Sequence, residues 1–118
     1  MILVADDNGD VRALVALVLA PAGRVLEAAD GDAALALARL RRPDLAVLDV
    51  QMPGPSGIDV CRALKADPAT AGMPVVILTA EGTPEVQERA LAAGADAFVA
   101  KPFSPAALLA LVRQLLPP

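Results

Sequence analysis

The sequence contains no histidine, tryptophan or tyrosine, a single cysteine and two phenylalanines. Without an imidazole, the chain cannot host a Ser-His-Asp triad, most catalytic zinc sites or a phosphohistidine of its own. Its chemistry must run on carboxylates, hydroxyls and lysine. The lone Cys61 cannot close an internal disulfide or build a Cys-rich metal site, which points to a reducing, cytoplasmic setting. No uninterrupted apolar run approaches the roughly 18 residues of a spanning helix, and the N-terminus lacks a basic region followed by an apolar signal core. The sequence therefore reads as soluble, not exported and without membrane contact. A basic excess is also missing. Ten Lys+Arg against fourteen Asp+Glu give a formal net charge of −4, which argues against direct nucleic-acid binding. What remains is 118 residues, 56% of them hydrophobic, enough for one domain over residues 1–118 with an aliphatic core.

Short apolar runs alternate with longer Ala/Leu-rich segments of helical period, the pattern of βα units around a parallel sheet. The strand candidates are Ile2 to Ala5, Val25 to Ala28, Leu45 to Leu48, Val75 to Leu78 and Ala97 to Val99. Most are continuously apolar, as expected of strands covered by helices on both faces. Val11, Leu14, Val15 and Val18 give the first helix one apolar stripe, and its start lies near Asn8. The second helix is expected from about Asp32 to Arg41, ended by Pro43, and the third near Ser56 to Ala66. Thr83-Pro84 and Ser104-Pro105 each place a capping hydroxyl before a proline, marking the starts of the fourth and fifth helices. Gly94 is placed to end the fourth. Pro117-Pro118 resembles the beginning of an interdomain connection or simply the end of the domain.

In an open parallel α/β sheet, ligands bind beyond the carboxyl ends of the strands. The residues that follow the expected strands are Asp6-Asp7 after the first, Asp49 after the third, Thr79 after the fourth and Lys101 shortly after the fifth. Converging carboxylates repel and raise one another's pKa unless a cation compensates. Oxygen donors without His or a Cys cluster point to a hard divalent ion, Mg2+, for which Mn2+ can substitute. A carboxylate beside such an ion and an ammonium, with a hydroxyl nearby, is equipped as a nucleophile toward phosphorus.

Val4-Ala5-Asp6-Asp7, Leu48-Asp49-Val50-Gln51-Met52-Pro53 with Gly54 and Gly57, Leu78-Thr79-Ala80, Gly94-Ala95-Asp96 and Lys101-Pro102-Phe103 together resemble the receiver domain of bacterial two-component response regulators, along essentially the whole chain. The resemblance implies a single doubly wound, five-stranded parallel sheet in the order 2-1-3-4-5 with five helices, a flavodoxin-like receiver fold. It implies that Asp49 is the phosphoacceptor, charged by a sensor histidine kinase or phosphotransfer protein. Asp7 would hold Mg2+ directly, Asp6 mainly through water, and Asp49 and the Gln51 backbone carbonyl would complete the site. The Thr79 hydroxyl, the Lys101 ammonium and the backbone N–H groups of Gln51 and Ala80 would hold the phosphoryl oxygens, and Lys101-Pro102 would be cis. The family's switch maps onto Thr79 and Phe98, the latter standing where a tyrosine is common. It reshapes the face of the fourth helix, fifth strand and fifth helix toward an output partner or a C-terminal effector domain. In that family the positions of Gln51 and Glu81 tune hydrolysis of the acyl phosphate, so Gln51 is expected to orient or obstruct the attacking water and Glu81 to change its access. Such a domain is a switch that catalyses its own phosphotransfer and dephosphorylation, not a turnover enzyme.

Taken singly, these residues have ordinary explanations: Asp6 and Asp7 as helix caps, Asp49 as a turn acid, Thr79 as a strand-terminal residue. Cys61 and Phe103 read as core. Only the ordered set favours the specific function. A haloacid-dehalogenase-like, Mg2+-dependent phosphohydrolase is the alternative enzyme, but its second acid is replaced by Gln51 and no residues remain for a cap. A pseudo-receiver that docks partners without phosphorylation usually loses an acid or the lysine, and all are present. The fifth helix carries Leu108, Leu109, Leu111, Val112, Leu115 and Leu116, more than one sheet face requires, suggesting a surface for a homodimer or an adjoining domain.

Overall fold

The computed structural model describes residues 1–117; of the Pro117-Pro118 pair, Pro118 lies outside the described residues. Five parallel strands, β1 (Ile2–Ala5), β2 (Val25–Ala28), β3 (Leu45–Leu48), β4 (Val75–Thr79) and β5 (Ala97–Ala100), form one sheet in the order β2-β1-β3-β4-β5. Helices α1 (Gly9–Leu19), α2 (Gly31–Arg41), α3 (Gly57–Ala66), α4 (Pro84–Ala92) and α5 (Pro105–Leu115) connect and follow them. The pleat divides each strand between two cores. Ile2, Val4, Leu45, Val47, Val76 and Leu78 pack with α1 and α5, whereas Leu3, Ala5, Ala46, Leu48, Val75 and Ile77 pack with α2, α3 and α4. Helices on both faces explain why the three central strands are apolar at nearly every position.

The helices begin where side chains can satisfy free amides. Asn8, Asp30, Ser56, Thr83 and Ser104 each accept from a first-turn N–H, and Ser56 and Asp59 form a reciprocal capping box. That box holds the Asp59 carboxyl below the usual carboxylate range, through its hydrogen bonds to Ser56 and the nearby Arg62 charge. Gly94 follows α4 with φ +96°, a left-handed conformation natural to glycine.

Three local expectations are revised. The second helix starts at Gly31 rather than near Asp32, because Asp30 is the cap that accepts from the Ala33 amide at 2.7 Å. In α1 the buried side is Val15 and Leu19 with Val11 and Val18 beside it, while Leu14 is 49% exposed; helical spacing alone did not fix which flank of the stripe meets the sheet. On α5, Leu108 and Val112 are buried and Leu109, Leu111, Leu115 and Leu116 pack against the same core. The exposed positions are Pro105, Ala106, Ala107, Ala110, Arg113 and Gln114, so most of the leucine excess goes into the domain's own interior.

Candidate functional site

Strand order reverses between β1 and β3, opening the crevice where doubly wound sheets bind ligands. Ala5 pairs with Leu48, so the next residue on each strand, Asp6 and Asp49, leaves the sheet side by side. Backbone bonds continue the ladder past the strand ends: Asp6 donates to the Ala28 carbonyl at 3.1 Å and Asp49 to the Ala5 carbonyl at 2.9 Å. Asp6 and Asp49 are buried and Asp7 is exposed, yet ligand oxygens of all three lie within 4.8 Å of one another.

Lys101 enters from the far side of the sheet. Its amide donates to the Thr79 carbonyl at 2.8 Å, and its ammonium donates to Asp6 Oδ2 at 2.8 Å and Asp49 Oδ2 at 3.4 Å. The Lys101-Pro102 bond is cis. Thr79 ends β4, buried, with its hydroxyl beside the Asp49 carboxyl and accepting from the Glu81 amide at 3.1 Å. All five side chains expected from the strand exits are thus brought to one end of the sheet.

The electrostatics follow from that crowding. Burial first, and then the Asp6 charge, push the Asp49 carboxyl above its ordinary value, against the pull of Lys101 and Thr79. Burial opposes the charge on Lys101, but the hydrogen bond to Asp6 and the charges of Asp49 and Asp6 outweigh it and raise the ammonium. One ammonium among three acids leaves two negative charges at the cluster. Hard oxygen donors with that charge suit a divalent cation of the Mg2+ class.

Around this centre, Gln51 is exposed and its side-chain amide donates to Glu81 Oε1, bridging the loops that follow β3 and β4. Ala80 is exposed immediately after Thr79. Phe98 is half-buried on β5, opposite Ile77, and packs into the core under α3 and α4. Strand alternation puts Thr79 on that same face.

Two contributors lie outside the sequence expectations. Arg12 on α1 donates to the Asp6 carbonyl at 2.8 Å and to Glu27 Oε1 at 3.3 Å, tying the acidic loop to β2. Lys65 does comparable work at the opposite end. It donates to the carbonyls of Ala71 and Met73 and to Asp96, while Asp96 also accepts from the Val75 amide. Asp96 belongs to a motif legible in sequence; Arg12 sits in an amphipathic helix with no local mark.

The family model for the response regulator receiver domain matches residues 2–113. The chain is 40% identical over 116 residues to the phosphate regulon transcriptional regulatory protein PhoB of Pseudomonas aeruginosa, covering 98% of this chain and 51% of that protein. It is 43% identical over 116 residues to the DNA-binding response regulator MtrA of Mycolicibacterium smegmatis, covering 98% and 50%. The chain therefore spans about half the length of the curated relatives it matches. Among solved structures, the chemotaxis response regulator CheY4 of Vibrio cholerae is similar with a TM-score of 0.89 at 35% identity, covering 98% of this chain and 97% of that one.

Proposed function

The chain belongs to the response regulator receiver family of two-component systems, and from that premise we propose that residues 1–118 act as a phosphorylation-driven switch with Asp49 as phosphoacceptor. The observation that carries this reading is the convergence of Asp49 with Asp6, Asp7, Thr79 and Lys101 on one crevice. An Asp49 carboxylate oxygen attacks the phosphorus of a phosphohistidine on a sensor kinase or phosphotransfer protein. The new P–O bond forms as the P–N bond breaks, and the electron pair leaves with the imidazole nitrogen, which takes a proton from solvent.

Asp6, Asp7, Asp49 and the Gln51 carbonyl are the groups that would hold Mg2+, which when bound supplies charge neutralisation at the transferring phosphoryl. Lys101 balances the anionic oxygens from the other side, and the Thr79 hydroxyl with the backbone amides of Gln51 and Ala80 donates to them. Lys101 already contacts two of the acids, so the ammonium needs little reorganisation to follow charge onto the phosphoryl.

The product carries about −1.5 to −2 charge where one carboxylate stood, if it behaves as other phosphoryl groups do. Drawing Thr79 inward to that charge frees space on the face it shares with Phe98. The ring then repacks, and the α4-β5-α5 surface changes toward an output partner or a C-terminal effector domain. No external substrate is turned over. The test is incubation with Mg2+ and acetyl phosphate, followed by intact mass. A single phosphoryl adduct on wild type and none on Asp49→Asn is the expected result; an adduct on both, or on neither, removes the reading.

A further inference from the structure

Gly31 opens α2 against the turn that follows Asp49. Its amide donates to the Pro53 carbonyl at 3.1 Å. A Cβ on it would overlap the Pro55 carbonyl oxygen and lie 2.9 Å from the carbonyl carbon. Gly57 opens α3 against the same segment: its amide donates to the Val50 carbonyl at 3.0 Å, and a Cβ there would overlap the Asp49 carbonyl. Each amide belongs to the first turn of a helix and has no partner inside it; a loop carbonyl supplies one in both cases. The segment is thereby pinned at Val50 and at Pro53, with Gln51 between the two fixed points. Gly54, at φ +76°, lets the turn pass beneath Asp32, whose Oδ2 would stand 3.1 Å from a Cβ at that position. The closest contacts at Gly31 and Gly57 are of backbone on backbone, so rotating a side chain cannot relieve a substitution at Gly31.

We infer that Gly31 is a positioning residue for the cation site. By allowing α2 to press against the Met52–Pro55 turn, it fixes the backbone that presents the Gln51 carbonyl, the one expected ligand not carried on a side chain. This rests on reading the acid cluster as a Mg2+ site. A small ion demands near-ideal octahedral geometry at about 2.0–2.1 Å, and a side-chain carboxylate can readjust to a displaced ion where a backbone carbonyl moves only with its loop.

The experiment titrates MgCl2 calorimetrically into wild type, Gly31→Ala, Pro55→Gly and Gly72→Ala, with melting temperatures taken in chelator and in saturating MgCl2. Gly72 is the control, since a Cβ there meets nothing within 4 Å. Gly31→Ala is expected to keep its helix content, to bind Mg2+ at least about tenfold more weakly, and to show a smaller Mg2+-induced rise in melting temperature; Gly72→Ala should match wild type. A merely structural role lowers both melting temperatures equally and leaves the affinity unchanged. If Gly31→Ala does not fold, Pro55→Gly, which slackens the turn while α2 stays intact, carries the same expectation. A folded Gly31→Ala, or in its place Pro55→Gly, binding within twofold of wild type overturns the inference alone. Wild type that takes up no Mg2+ overturns the cation-site reading with it.

Discussion

The Lys101 ammonium lies closer to Asp6, at 2.8 Å, than to Asp49, at 3.4 Å. Its stronger bond is therefore to the buried acid that is not the proposed nucleophile. Asp49 is left the less compensated of the two, which agrees with burial and the Asp6 charge holding its carboxyl above the ordinary value of 3.8.

The sign of the pH dependence follows from that imbalance. A carboxyl whose folded pKa is raised penalises the fold above that pKa, and the penalty vanishes below the unfolded value. In metal-free buffer at pH 7, Asp49→Asn should melt above wild type, by about 4 °C for each kcal/mol relieved, and the gap should close as pH falls toward 3.8. Lys101 runs the other way. Its raised pKa stabilises the fold below 10.5, so Lys101→Met should melt below wild type at pH 7 and converge with it as pH rises through the folded value. Parallel melting curves at every pH for either variant contradict this account.

At the opposite end of the sheet, Asp96 accepts from the Lys65 ammonium at 2.9 Å and from the amide of fully buried Val75 at 2.8 Å. In Asp96→Ala that buried amide loses its partner, at a cost of about 1–3 kcal/mol, while Lys65 keeps its bonds to the Ala71 and Met73 carbonyls. Urea unfolding should show the lower midpoint with an unchanged slope. Mg2+ affinity should match wild type, because the change lies a full strand length from the acids.

These examples show which parts of the molecule the sequence displays. Leu45 to Leu48 announces its strand because burial on both faces forces every position to be apolar, and Asp49 gains meaning from following it directly. Asp96 is visible as part of a motif, but its task depends on Lys65, 31 residues away. Arg12 and Gly31 act through backbone carbonyls, which carry no residue identity, so no pattern of types marks the contact. Leu14 is exposed although it shares helical spacing with Val11, Val15 and Val18, because such spacing defines a stripe but not which of its flanks meets the sheet.

The bridge between Gln51 and Glu81 joins the two loops that flank Asp49. Attack by water on an acyl phosphate needs an in-line approach through that mouth. Removing the bridge in Glu81→Ala should shorten the phosphoryl lifetime about fivefold, the rate equivalent of a hydrogen bond worth about 1 kcal/mol. The lifetime is read by intact mass after the phosphodonor is removed. An unchanged rate in both Glu81→Ala and Gln51→Ala would release the pair from any part in hydrolysis.

Cys61 offers an independent view of how firmly α3 is held. Its thiol is fully buried, contacts the Ala93 carbonyl at 3.6 Å, and is pushed up to about 11, chiefly by burial. At pH 8 the thiolate, the reactive form, is therefore roughly one part in a thousand even before access is considered. Alkylation must then proceed through openings that part α3 from α4. Because Gly57 ties the start of α3 to the Val50 carbonyl, openings that carry α3 away also disturb the segment after Asp49. Saturating MgCl2 should accordingly slow iodoacetamide labelling of Cys61, by the factor 1 + [Mg2+]/Kd when the open form binds no ion. Labelling that is slow but indifferent to MgCl2 would mean that α3 opens without disturbing the acids, and would separate the integrity of this core from that of the site.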